Sequence, residues 1–264
     1  MSWINILKKY GIQIEHELCQ SHIDQICTRE SLYLVYEYCD KRDIERFMVL
    51  NELLPAIVIQ SFMFQLLTGL NYLHQRLLLH GDLQLKHLLI KSNGKLKIAD
   101  FSQTRHLYWP QSIQTRNIGC LQNRCPELIL GQLTNSTSID IWSVACLLAQ
   151  LCQNSKLFKA ETEIELLFQI FSILGTPTDK QWPNFKHMPY YSQQFPQWIR
   201  RDDLLCDLTK IIGSQGCDLL LKLFIYDPKY RLTTNQALKH PYFQNMDSIQ
   251  ASNIFKTLNQ TSQI

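Results

Sequence analysis

An α+β fold is predicted for this chain, with a small strand-bearing start and a large helical body. Three observations predict it. Residues 32–38, LYLVYEY, form the short apolar and aromatic run of a buried strand. Residues 55–74 change to helical spacing, with Ile59, Phe62, Met63, Leu66, Leu67, Leu70 and Leu73 on one face. From Asp140 to Cys152, DIWSVACLLAQLC is apolar nearly all round, which marks a helix buried on every side. With 264 residues, 45% apolar and 19% charged, the chain can bury a substantial core.

The remaining elements follow in order. Pro55 suits the first turn of the helix it opens. LLIKSNGKLKIADF reads as a hairpin, two alternating arms around Ser92-Asn93-Gly94. Residues 101–127 have no clear period and read as a long loop, a type that is usually functional or disordered. Residues 163–174, 216–225 and 233–239 read as amphipathic helices. Pro177, Pro183, Pro189 and Pro196 punctuate a loop-rich stretch, and the polar tail after Phe243 is expected to fray. The carboxylate-bearing loops fall where the strand-bearing start meets the helical body, and ligand clefts form at such junctions.

Composition excludes some functions. The net charge is +3 and the basic residues are scattered, so no nucleic-acid partner is expected. The nine cysteines include no CxxC pair. The spacings of Cys120 to Cys125 and Cys146 to Cys152 match no zinc site. Free buried thiols in a reducing compartment, cytoplasm or nucleus, are the expectation. MSWINILKKYG lacks a signal-peptide core, and no apolar run is read as reaching the roughly 20 residues that span a bilayer, so no membrane is expected either.

The stretch HGDLQLKHLLI, His80 to Ile90, resembles HRDLKPQNLLI of the protein kinases, and of the cyclin-dependent kinase class above all. LYLVYEY is similar to the hinge strand of that family, KIADFSQTR to KIADFGLAR, CPELILG to APEILLG, and DIWSVAC to DIWSLGC. LFQIFSILGTPTDKQWP resembles the LGTP…WP insert of the class, and DPKYRLTTNQALKHPYF its terminal block. Seven motifs in order, spread from about residue 30 to residue 243, make the resemblance specific. It implies a protein-kinase-like fold, mostly a helical C-lobe over residues 39–243. Residues 1–38 would be the remnant of a β-containing N-lobe, and 244–264 a polar tail. The family activity is phosphoryl transfer from ATP, with Mg, to protein Ser or Thr.

The resemblance also assigns roles. Asp82 takes the catalytic-base position. Gln84 stands where the family has a lysine that stabilises the transferring phosphate, and losing one such donor costs about 3–4 kcal/mol. His87 stands at the asparagine that holds the second metal. Magnesium prefers oxygen and imidazole prefers softer metals, so His87 reads as a satisfied polar histidine rather than a ligand. Asp100 keeps the main metal carboxylate, Phe101 its packing anchor, and Ser102 replaces a glycine. Thr115 falls on the phosphorylated threonine of the activation segment. Of the arginines that would receive it, Arg105 remains and Gly81 replaces another. Cys120 replaces the threonine that hydrogen-bonds the base. Glu127 and Arg231 match a buried ion pair, Asp140 the carboxylate that bonds the catalytic-loop backbone, and His80 the packing spine. In the adenine pocket, Glu37 and Cys39 would present hinge backbone groups and Tyr36 would be the gatekeeper. Leu89 and Ala99 would form the floor, and Asp43 would reach the ribose.

No GxGxxG loop or VAIK-type lysine strand is found, and Trp3 falls where the glutamate partner of that lysine belongs. Either these elements are lost or the sequence begins downstream of them. Without that roof, ATP and Mg would bind weakly at best. The expected function is a catalytically impaired pseudokinase that acts as a regulatory or interaction module with protein partners, a regulatory subunit or substrate proteins. The cyclin-contacting helix would lie in the missing or altered region, which weighs against cyclin. The alternative is an active Ser/Thr kinase that uses Asp82 as its base.

Overall fold

The computed structural model describes residues 14–28, 31–40, 43–50, 53–108, 118–132 and 136–261. Trp3 and Thr115 lie outside these residues.

The first elements are β1 (His22–Cys27) and β2 (Leu32–Tyr36), an antiparallel ribbon with Ile26 opposite Tyr33 and Gln25 opposite Leu34. The expected buried strand is in fact half exposed: Tyr33 keeps 57% of its surface, and Leu34 to Tyr36 are only partly covered. The physical reason is that the ribbon has just two strands among the described residues, so no further sheet covers its outer face. It joins the body through the segment before it, where Gln20 N donates to Ile98 O (2.8 Å) and Ile98 N to Leu18 O (2.8 Å).

Helix α1 (Ile44–Leu50) opens at Asp43, whose Oδ1 accepts from Arg46 N at 2.9 Å. Helix α2 (Ala56–Gln75) starts directly after Pro55 and buries the face that the spacing of Ile59, Phe62, Met63, Leu66, Leu67, Leu70 and Leu73 defines. It is long and apolar enough to cross a membrane, contrary to the expectation from sequence, but more than half of it is buried inside the protein. Strand β3 (Leu78–Leu79) then leads to the hairpin of β4 (Leu88–Ile90) and β5 (Leu96–Ile98), with Leu88 opposite Ile98 and Ile90 opposite Leu96. Strand β6 (Arg105–His106) returns to pair with β3.

The helical body follows: α3 (Pro126–Ile129), α4 (Ser138–Gln153), α5 (Glu163–Leu174), α6 (Asp202–Leu223), α7 (Thr234–Leu238) and α8 (Ser248–Thr261). Every residue of α4 from Ser138 to Cys152 is buried, as its all-round apolar pattern requires. Trp142 at its centre packs edge-on to Phe224, centroids 4.9 Å apart. Thr162 caps α5, and Thr233 with Gln236 forms a capping box on α7. Helix α6 begins well before the expected residue 216 and bends at Gly213, whose φ of 72° interrupts the helical period and hides the first half from a pattern reading. The described part of the tail is helical over Ser248–Thr261 rather than frayed. Ala251 is fully buried against α2, and its carbonyl accepts from Ser61 Oγ at 2.6 Å. A small residue there lets the two helices approach closely enough for that bond.

Candidate active-site cleft

The loop from His80 to His87 is suspended from one buried carboxylate. Asp140 Oδ2 accepts from His80 N (2.9 Å) and meets His74 Nε2 (2.8 Å), and its Oδ1 accepts from Gly81 N (2.9 Å). Burial alone pushes this carboxyl up. The His74 bond, with His80 and the Gly81 N–H, outweighs burial and holds it below the usual carboxylate range. The His80 ring sits between Ala99 O (3.0 Å from Nε2) and Asp82 N (3.3 Å from Nδ1). A carbonyl accepts and an N–H donates, so the ring is the neutral Nε2–H tautomer, and burial lowers its pKa accordingly. It packs on Phe101 with centroids 5.3 Å apart.

Two glycines face each other here. Gly81 has φ 85°, and a Cβ on it would lie 2.7 Å from Gln103 O. Gly119 has φ 69°, and its Cβ would lie 2.5 Å from Gly81 O. Glycine at position 81 therefore matches the backbone it sits on.

Asp82 is partly buried and held on both sides. Its Oδ1 accepts from Gln84 Nε2 (2.8 Å) and from Cys120 N (2.8 Å). Asp82 thus gains a bond from the Cys120 backbone, while the Cys120 thiol turns to Gln122 Oε1 (2.8 Å). Asn123 Nδ2 ties the loop down at Leu83 O (2.8 Å). Asp82 Oδ2 lies 3.7 Å from His87 Nδ1. That Nδ1 meets Asp82 O at 2.8 Å, and His87 Nε2 lies 3.2 Å from Asp100 Oδ2. Asp100 adopts a left-handed conformation, φ 58° and ψ 71°, with Oδ1 accepting from Ser102 N at 3.2 Å. Burial raises the Asp100 pKa, and Ser102 with His87 lowers it further than burial raises it. The three predicted residues Asp82, His87 and Asp100 thus meet at one point.

Magnesium fits this donor set poorly. It demands near-octahedral oxygen coordination, and the position that should supply a second oxygen supplies an imidazole.

Of the residues expected to line an adenine pocket, Ala99 is buried and Leu89 half-buried. The hinge groups are already engaged: Glu37 N donates to Ser21 O (2.9 Å) and Glu37 O accepts from Gln20 Nε2 (3.1 Å). Tyr36, at the end of β2, packs edge-on to His22. Cys39 is half-buried, and burial raises its thiol pKa. Asp43 bridges to Leu89 and holds the start of α1. Sequence reading missed Gln20, His74 and Lys97. No local pattern marks them, because each acts on a residue distant in the chain.

The Glu37 carboxylate meets Lys97 (2.5 Å), Lys91 (3.2 Å) and Ser21 N (2.9 Å). Burial pushes this carboxyl up, but these three partners outweigh it and hold it down at about 2. A depressed carboxylate stabilises the fold above its unfolded pKa and loses that contribution as pH falls through the folded one. Urea midpoints followed by tryptophan fluorescence should therefore fall between pH 4.5 and about 2. Glu37→Gln should flatten that part of the curve. An unchanged slope would show that the ammonium groups do not hold the carboxylate.

Beneath the cleft, Arg231 makes a two-pronged pair with Glu127, at 2.7 and 3.0 Å. Arg105 is half-buried in β6, opposite Leu79.

Comparison with known proteins fits this geometry. The family model for the protein kinase domain matches residues 4–243. Cyclin-dependent kinase 2 of Caenorhabditis elegans is 37% identical over 234 residues, a match that takes in 87% of this chain and 63% of that protein. The chain therefore spans less than two thirds of the length of this relative. It belongs to the protein kinase family and is cyclin-dependent-kinase-like in sequence.

Proposed function

We propose that this protein is a catalytically impaired kinase-fold module that works by binding protein partners, a regulatory subunit or substrate proteins, in the cytoplasm or nucleus. The observation that carries this reading is the environment of Asp82. Its Oδ1 is occupied by the Gln84 amide, the side chain at the position where the family places a charged lysine. A neutral amide turned back onto the base neither stabilises a transferring phosphate nor leaves that oxygen open to a substrate hydroxyl. The partnered hinge carbonyl of Glu37 supports weak nucleotide binding.

The second reading is a working Ser/Thr kinase with Asp82 as base. The span of the chain favours it, because 63% coverage of the relative leaves room for elements outside this sequence. Gln84, His87 and Cys120 argue against it, since they lie inside the matched region.

Thermal stabilisation by ATP, with and without magnesium, separates the two, followed by phosphate transfer to a basic Ser-Pro peptide. Ligand at a hundred times its Kd would add about 2.7 kcal/mol of stability, so a flat response at millimolar ATP is a clear result. The expected outcome is no Mg-dependent shift and no transfer that Asp82→Asn removes. A strong Mg-ATP shift, with transfer abolished in Asp82→Asn, would overturn the proposal.

A further inference from the structure

The misfit to magnesium has a positive counterpart. We propose that Asp82, His87 and Asp100 form a binding site for a borderline transition-metal cation, Zn²⁺ in particular, that needs no nucleotide. One donor atom from each of the three residues lies within 4.8 Å of the others. His87 is the centre of the argument. A backbone carbonyl can only accept, so the 2.8 Å contact with Asp82 O places the ring proton on Nδ1. Nε2, the nitrogen left over, then faces Asp100 Oδ2, 3.2 Å away. A carboxylate oxygen and a ring nitrogen at that distance need a positive charge between them, supplied either by a second ring proton or by a metal ion.

The separation suits a metal. Two ligands at about 2.0–2.1 Å from a tetrahedral zinc stand about 3.3 Å apart. A metal-ligating histidine commonly donates its other N–H to a backbone carbonyl, which fixes the tautomer and strengthens the ligand, and the Asp82 carbonyl does this here. Asp82 Oδ1 is held by Gln84 and Cys120, while Oδ2 lies 3.7 Å from the Nδ1 edge of His87 and Asp82 enters the cluster through the 4.8 Å span of its three donors. The His87 side chain keeps only 10% of its surface, while Asp100 keeps 43%, so the site is preorganised at its base and open at its mouth. One imidazole and two carboxylates, with the remaining positions open to water, favour zinc over magnesium on ligand chemistry. This inference stands on the donor geometry and holds whether or not the protein transfers phosphate.

The test is a titration of the full chain with Zn²⁺ against a chromophoric zinc chelator, without nucleotide. The surface thiols Cys27 and Cys206 are first replaced by serine so that they do not compete. The ring nitrogens of His87 are followed by NMR in parallel. The expected result is one zinc equivalent that His87→Ala and Asp100→Asn each weaken at least tenfold, with the Nε2 signal moving on zinc addition and Mg²⁺ failing to compete. Asp100 is half exposed, so its variant keeps the fold even where His87→Ala does not. Equal zinc binding in the parent and in Asp100→Asn would overturn the proposal. So would a His87 ring protonated on both nitrogens and unmoved by zinc, an imidazolium bridging the two carboxylates in place of a metal. Failure of this test leaves the Mg-ATP experiment untouched, and the reverse also holds.

Discussion

Replacing Arg231 by methionine is expected to cost about 3–5 kcal/mol of folding stability, the usual effect of stripping one partner from a buried ion pair. The side chains of Arg231 and Glu127 are both fully buried. Burial works against the guanidinium charge, and Glu127 outweighs it, so the pKa of Arg231 is raised and the group stays charged. The arginine also donates to three backbone carbonyls, Ile225 (2.9 Å), Ser138 (2.7 Å) and Tyr226 (3.2 Å). It lies over the Trp142 ring, 5.1 Å from the centroid. One side chain thus ties α3, the start of α4 and the turn after α6 together. Methionine fills much of the volume but leaves the Glu127 carboxylate without a counter-charge and three carbonyls without a donor. The double variant Glu127→Gln with Arg231→Met removes the stranded charge and should recover part of the loss, though not the carbonyl bonds. Urea unfolding of the parent, of Arg231→Met and Glu127→Gln singly, and of the double variant measures this as a cycle. A loss below about 1 kcal/mol for Arg231→Met would mean that the pair is less buried in solution than its geometry requires.

That pair was legible in the sequence only through resemblance. Glu127 and Arg231 are 104 positions apart, and no periodicity links them. Periodicity did identify α2, the core of α4 and the β4–β5 hairpin, because each announces itself within a short window. It failed where tertiary context decides. LYLVYEY has the composition of a buried strand, yet Tyr33 is exposed because burial depends on what covers a strand, which composition does not record. The segment after Phe243 looks too polar to order, but the buried Ala251, with Ile254 packed against the core, seats α8. In the cleft, the motif placed Asp82, His87 and Asp100 in one region. It could not show that the Gln84 amide turns back onto Asp82, nor which nitrogen of His87 carries the proton. Those facts depend on side-chain rotamers, which a linear pattern does not record.

Asp140→Ala should be nearly as damaging as the loss of Arg231, at about 3–5 kcal/mol, and should also dismantle the cleft. The carboxylate is 1% exposed and serves two backbone N–H groups of the loop, His80 and Gly81, as well as the His74 ring. Alanine leaves all three without an acceptor, and each buried orphan costs about 1–3 kcal/mol. Asp140→Asn keeps one carbonyl oxygen but turns an amide N–H₂ toward donors on the other side, so its cost should be intermediate. The pH dependence separates charge from shape. The folded pKa of Asp140 lies below the ordinary aspartate value of 3.8, so its contribution is complete above that value and is lost as pH falls through the lower folded one. The parent should therefore lose stability below pH 3.8 more steeply than Asp140→Asn, which has no proton to gain. Zinc titration supplies the functional reading. With the His80–Gly81 backbone released, Asp82 and His87 lose their fixed placement against Asp100, and affinity should fall in Asp140→Asn although no donor atom has been removed. Intact zinc binding in a destabilised Asp140→Asn would show that the loop holds its shape through Asn123 and the Leu83 carbonyl instead.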